Sequence, residues 1–326
     1  MAHRLVGAIM GALLSGSALC ALGGSFAWAD EAFVTNQESD DVSVVDLETT
    51  KVVATIAVGG KPAGVSVAPD GKRVYVTSPD GKYVSILDAA GRSLLKKIDV
   101  AGGPVGVIVS PDSARVYVAD WYNARVLVLD AARMEIVSEV KVGASPAGMA
   151  ITPDGKTLYV CDRDDDQLSV IDTTNLTRTA TVKVGSHPFV VVFSPDGKYL
   201  LTANVMSDDL SLVDVASLKE VKRIPTGSTP YGIAFAAGKG FVTAQHADQL
   251  TVFDVATYTP TGSIDTPTFP ESIATSADGR KVWVTSWGDD LLVSFDAETG
   301  KEVDEVAVGK SPRGDGNFIR HTSHAD

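Results

Sequence analysis

The run VGGKPAGVSVAPDGKRVYVTSPDGKYVSILD, Val58 to Asp88, returns 42 residues later as VAGGPVGVIVSPDSARVYVADWYNARVLVLD, Val100 to Asp130. Two markers carry the repeat through the chain. A proline behind a short Gly- or Ser-containing turn stands at Pro62, Pro104, Pro146, Pro188, Pro230, Pro270 and Pro312, at intervals of 42, 42, 42, 42, 40 and 42. An aspartate closing an apolar run stands at Asp46, Asp88, Asp130, Asp172, Asp214, Asp254 and Asp296, with the same intervals. A fixed period of this length marks a repeat architecture.

Each unit reads as four short strands. In the quoted run and its continuation these are Gly64 to Ala68, Arg73 to Thr77, Tyr83 to Asp88 and Ser93 to Val100, separated by Asp70-Gly71, Asp80-Gly81 and Ala90-Gly91 turns. Runs such as Val74-Tyr75-Val76 and Val84-Ser85-Ile86-Leu87 show little alternation, as expected of sheets packed on both faces. The reading is all-β: a seven-bladed β-propeller of four-stranded antiparallel blades. The chain enters inside a unit at Phe33-Val34-Thr35-Asn36, and Pro312 to Ile319 supplies only an innermost strand. Residues 32–61 and 312–326 are therefore expected to share one closing blade, which leaves no exposed sheet edge. The unit opening at Pro230 has Ala236-Ala237-Gly238-Lys239 where others have S/T-P-D-G-K, a hairpin trimmed by two residues.

The 326 residues carry 28 Lys plus Arg against 41 Asp plus Glu, a net charge of −13, with 44% hydrophobic residues. This is a folded composition. The acidic balance, without a basic run, excludes general nucleic-acid binding. The apolar stretch Leu5 to Leu22 follows Arg4 and leads to Ala27-Trp28-Ala29, so residues 1–29 read as a cleaved signal peptide and 30–326 as a single exported domain. A monomeric protein of the periplasm, without stable membrane insertion, is expected. Cys161 is the one thiol after cleavage, and no C-x-x-C-H exists for covalent haem attachment.

The segments Phe33-Val34-Thr35-Asn36, Tyr75-Val76-Thr77-Ser78, Tyr117-Val118-Ala119-Asp120 and Trp283-Val284-Thr285-Ser286, together with Ser-Pro-Asp-Gly at 194 to 197, resemble the YVTN-type β-propeller repeat family. The resemblance extends over essentially all of residues 30–326 and is specific for fold. It implies a periplasmic or surface-layer binding protein, and some such proteins accompany PQQ-dependent oxidation. The recurrent pairs of WD40 and kelch repeats are missing, and so is a recurrent tryptophan docking motif, so the chain is not expected to hold PQQ itself.

The recurring Asp residues, and the Asp-Gly pairs at 70, 154, 196 and 278, are expected to cap turns. Glycines two places after the proline, at 64, 106, 148, 232 and 314, are expected where innermost strands crowd the axis. Function is sought where the units differ. Strand direction places the pre-proline turns and the second-to-third-strand loops at one end of the ring. That end collects His187, Phe189, Tyr231, Phe269, Glu271 and Arg313 from the first set, and Trp121, Tyr122, Arg163, Met206, His246 and Trp287 from the second. Aromatics, two imidazoles, a carboxylate and guanidiniums suit a flat or small anionic molecule, or a partner's loop.

The expectation is thus a non-enzymatic binding or scaffold protein without cofactor, with an accessory redox role implied by the resemblance. The alternative is a hydrolase or lactonase in which His187, His246 and Glu271 hold a divalent metal. Asp162, Asp164, Asp165 and Asp166 lack the glycine and distal glutamate of an EF-hand and read as a solvated turn. Cys161 fills the slot of Thr35, Thr77, Ala119, Ala203 and Thr285 and reads as a packed side chain. His321 and His324 fall in a polar tail.

Overall fold

The computed structural model describes Met1 and residues 30–321. The signal-peptide reading and His324 lie outside the described residues. Among these residues there are seven sheets; six hold four consecutive strands in sequence order, each an antiparallel meander, and the seventh combines the first three strands with two short C-terminal ones. The unit first quoted forms Val65–Val67, Arg73–Ser78, Tyr83–Asp88 and Ser93–Asp99. Among the described residues helix is confined to the single turns Arg163–Asp165 and Gln245–Ala247.

Burial explains the weak alternation of the sequence. The second and third strands of each blade are buried along nearly their whole length, because both sheet faces meet neighbouring blades. Trp283, Tyr75, Tyr117, Phe33 and Phe241 are fully enclosed between sheets. The fourth strands, such as Ser93–Asp99 and Lys219–Pro225, are mostly exposed and form the outer edge. Their Lys96, Lys97, Lys222 and Arg223 keep that edge from pairing with another chain. A register shift sits at one place in every third-to-fourth-strand pairing, as at Ile86/Leu87 and Val128/Leu129. Such a bulge adds local twist to the outer strand.

Turn chemistry follows the residues. All seven recurring aspartates accept backbone N–H bonds across their own turns, from Glu48 to Asp46 through Glu298 to Asp296. Asp70, Asp154, Asp196 and Asp278 do the same for the residue after their glycine. In the trimmed hairpin Ala236 pairs Lys239, and Ala237 (φ 48°) and Gly238 (φ 72°) form a two-residue turn with both φ values positive.

The ring closes through the two ends, but not by one regular strand. Pro312–Arg313 pairs Glu31–Asn36 at Thr35 and Asn36, and Ile319–Arg320 returns to it at Glu31 and Ala32. Between these stubs the chain bulges toward the axis. There Asp315 and Asn317 accept hydrogen bonds from Val65 (3.1 Å) and Val67 (2.8 Å), on the innermost strand of the next blade. Gly316 (φ 128°) permits this, since a β-carbon there would strike the Val65 carbonyl. The C-terminal segment therefore ties two blades together. Deleting residues 312–326 should lower the melting temperature of the whole ring by roughly 10 °C or more in one cooperative transition, followed by circular dichroism. An unchanged melt would contradict closure through this segment.

Candidate functional site

The axis is where the site begins. A β-carbon on Gly106 would collide with the Ala147 carbonyl, one on Gly148 would lie 2.5 Å from the Phe189 carbonyl oxygen, and one on Gly232 would lie 2.9 Å from that of Glu271. Blades are also latched by hydroxyls. Thr35, Thr77 and Thr243 donate from their second strands to the carbonyls of Ala63 (2.7 Å), Val105 (2.6 Å) and Glu271 (2.6 Å) on the next blade. Ala119, Cys161 and Ala203 fill the same slot without a hydroxyl. Cys161 is fully buried, and burial pushes its thiol well above the usual range, as befits a packing residue.

These carbonyls belong to the residue directly after the marker proline of each unit. Ala63, Val105, Ala147, Phe189, Tyr231, Glu271 and Arg313 thus form a rim around the channel mouth, apolar on one side and polar on the other. Backbone bonds from Trp121 to Gly103, Arg163 to Ser145 and Trp287 to Phe269 hold the second-to-third-strand loops on the same rim. A further device does likewise. Asp40, Asp166, Asp208, Asp248 and Asp290 accept the N–H of Lys61, His187, Thr229, Phe269 and Ser311, the residues before the prolines. This aspartate recurs in five of the seven units, with Lys82 and Ala124 in the other two, and was not singled out from the sequence.

Two aromatic arcs result. In the first, the Arg163 guanidinium lies 5.5 Å from the Trp121 ring, Trp121 lies 6.3 Å from Phe189, and Phe189 lies 4.9 Å from Tyr231. In the second, His246 lies 5.9 Å from Phe269, which lies 6.1 Å from Trp287. Tyr122 and Met206 are exposed and join neither arc. Trp121, Tyr231 and Trp287 are half-buried, so each offers ring surface to the mouth.

Beside Tyr231 the rim carries buried charge. Arg313 is 3.3 Å from Glu271 and 3.9 Å from Asp315, and Ser272 donates to Asp315 at 3.0 Å. Neither Glu271 oxygen accepts a hydrogen bond, and neither does Asp315 Oδ2; Trp287 Nε1 and Arg313 Nε have no acceptor. Burial raises the Glu271 carboxyl to about 8, with Arg313 opposing the shift and Asp315 adding to it. Burial likewise raises Asp315 against Arg313 and Ser272. Tyr231 is pushed up to about 12 by burial, then by Glu271 and Asp315. Asp315 was missed in the sequence, although its column holds Val65, Val107, Met149, Val191, Ile233 and Ile273 in the other units.

Two expectations need correction. His187, His246 and Glu271 do not form a metal site, and no group of three ligating side chains occurs among the described residues. His187 Nδ1 lies 3.1 Å from Ser186 Oγ, His246 Nδ1 lies 3.0 Å from Thr229 Oγ1, and Glu271 faces Arg313, so each is held by its own surroundings. The acidic turn is not solvated throughout: Asp162 is fully buried and accepts bonds from Ser169 and Gln167. Arg163 does pair with Asp164, at 2.6 Å.

The fold and its asymmetric rim define a seven-bladed propeller with a candidate binding mouth. Residues 117–314 match the Cytochrome D1 heme domain family, more than half of the chain, and the chain belongs to that family. Residues 15–115 match the YNCE-like beta-propeller family. The uncharacterized protein YncE of Salmonella typhi and that of Salmonella typhimurium are each 43% identical over 47 residues, 14% of this chain and 13% of the relative. A functionally unknown protein from Desulfotomaculum acetoxidans has a similar structure, with TM-score 0.74 at 15% identity over 87% of this chain and 99% of its own. So does the dihydro-heme d1 dehydrogenase NirN, solved in complex with DHE, with TM-score 0.68 at 18% identity over 87% and 74%. Kuenenia stuttgartiensis hydrazine synthase gives TM-score 0.54 at 20% identity over 73% and 96%. At these identities the structural likeness speaks for the fold alone. No helix among the described residues is long and apolar enough to cross a membrane.

The raised Glu271 carboxyl has a pH consequence. Its folded-state pKa lies above its ordinary value of 4.5, so the fold favours the protonated form, and stability is lost as pH rises from about 4.5 through about 8. Thermal melts of Glu271→Gln should match the parent near pH ~5 and exceed it near pH ~9. An equal alkaline fall in both proteins would show that Glu271 is not the group responsible.

Proposed function

We propose that this chain is an exported, periplasmic binding propeller that holds a flat conjugated ligand of the tetrapyrrole class at its channel mouth, as a non-enzymatic accessory to redox chemistry. The observation that carries this reading is the pair of aromatic arcs sharing one rim with two imidazoles and two guanidiniums. The family match and the neighbour solved with DHE agree with it.

The donor set suits such a group. Trp121 and Tyr231, backed by the buried Phe189, provide faces for stacking, and their contact with a ring edge or face is worth about 0.5–1.5 kcal/mol per pair. The exposed His246 has Nδ1 beside Thr229, so its Nε2 is the nitrogen that would ligate a metal carried by such a group. Arg163 and Arg313 supply positive charge for a carboxylate edge. Trp287 Nε1, buried without an acceptor, marks one place where a ligand oxygen would restore a hydrogen bond. A bound iron tetrapyrrole would supply one-electron chemistry, while the chain's residues hold it, orient it and keep water from one face.

Titration with hemin, followed by its Soret band, tests the reading. The double variant Trp121→Ala with Trp287→Ala should bind roughly tenfold more weakly, with thermal unfolding nearly unchanged because both rings are only half-buried. His246→Ala should alter the Soret position. Equal binding by the double variant, or no saturable binding by the parent protein, would contradict the proposal.

A further inference from the structure

Beneath the rim the axis encloses a cavity of about 450 Å³, within the ordinary range of small-molecule sites. Its wall is apolar, built from residues such as Val107, Met149, Val192, Ile233 and Ile273 on successive innermost strands. Its two ends differ. His321 lies at the end opposite the mouth, 3.2 Å from Asp30, where the carboxylate of Asp30 also receives the Ala277 amide of a first-to-second-strand turn. Asp315 and Ser272 line the end beneath the mouth, next to Glu271.

The charges at that upper end do not balance. Two carboxyl groups, Glu271 (0% exposed) and Asp315 (8% exposed), share one guanidinium, that of Arg313. The phenol of Tyr231 is the other titratable group facing them, and it is neutral at ordinary pH. One acid thus exceeds the cations, and three of the four carboxyl oxygens accept no hydrogen bond. Buried oxygens left in this state cost about 1–3 kcal/mol each, more when charged, and a ligand donor can recover that cost. Burial is the first cause of the upward shifts of Glu271 and Asp315, with Asp315 adding to that of Glu271, and a proton held there removes charge from the buried pair. An ammonium does the same and brings three donors.

We propose that the channel is a second binding site, for a small primary ammonium with an apolar body, its cation held by Asp315 and Glu271 and its body against the aliphatic wall. The cavity shares Val105 and Phe189 with the rim but is lined by neither Trp121 nor Trp287, so it is distinguished from the mouth by its independence of those two rings. The carboxyl pair selects the charge and the wall selects the apolar body. An alcohol of the same length gains the wall but not the cluster.

Isothermal titration calorimetry with n-hexylammonium chloride, against n-hexanol, tests this on the full chain. The amine should bind at least roughly tenfold more tightly than the alcohol, and Asp315→Asn should remove that preference while leaving hexanol binding in place. Val192→Phe, which fills the channel from a half-buried wall position, should abolish binding of both, and it serves as the second variant if Asp315→Asn does not fold. Trp121→Ala with Trp287→Ala should leave amine binding unchanged, which separates this site from the mouth. Equal affinity for amine and alcohol, no amine binding, or amine binding that persists in Val192→Phe would overturn the proposal.

Discussion

Seven sheets can meet around an axis only if their innermost strands come close enough for backbone to touch backbone, and that closeness governs the rest of the molecule. At Gly106, Gly148 and Gly232 there is no room for a β-carbon before the next blade's carbonyl. At Thr35, Thr77 and Thr243 the carbonyl at the equivalent position of the next blade accepts a hydroxyl. The strand interior is committed to fitting, so variation is left to the residue that enters each blade just behind its proline. Seven such residues make the rim, and four of them, Phe189, Tyr231, Glu271 and Arg313, differ from the small apolar type at Ala63, Val105 and Ala147.

Most of the fold was legible because it is repetitive. A constraint applied seven times writes itself seven times, which is why proline and aspartate spacing gave blade number, strand order and the sharing of the closing blade between the ends. The C-terminal bulge was not legible in that way. Pro312 obeys the repeat, but Gly314-Asp315-Gly316 belongs to the one unit assembled from both chain ends, and its backbone bonds go to Val65 and Val67 across a blade boundary. Pairing between blades has no sequence period of its own.

The candidate site was legible as a list of unusual residues on one rim, and illegible as contacts. Grouping His187, His246 and Glu271 treated neighbouring blades as neighbouring side chains, whereas each finds its own partner in Ser186, Thr229 or Arg313. Conversely, Asp315 stands in a column of aliphatic residues, and a charge placed there must be buried and must meet other charge. Polar groups left short of hydrogen bonds around a channel are poor architecture but suit a ligand that completes them. The aromatic rim and the carboxyl cluster below it are thus two products of the same freedom at the axis.

Urea denaturation of Gly106→Ala beside Gly262→Ala tests the axial constraint most directly. Gly262 lies on an exposed outer strand with nothing within 4 Å of its missing β-carbon, so alanine there should be neutral or stabilise by about 0.4–1 kcal/mol. Alanine at Gly106 forces one blade away from the next and should destabilise by about 1–3 kcal/mol or more. Equal stability of the two variants would mean that the blades do not meet as closely as this account requires.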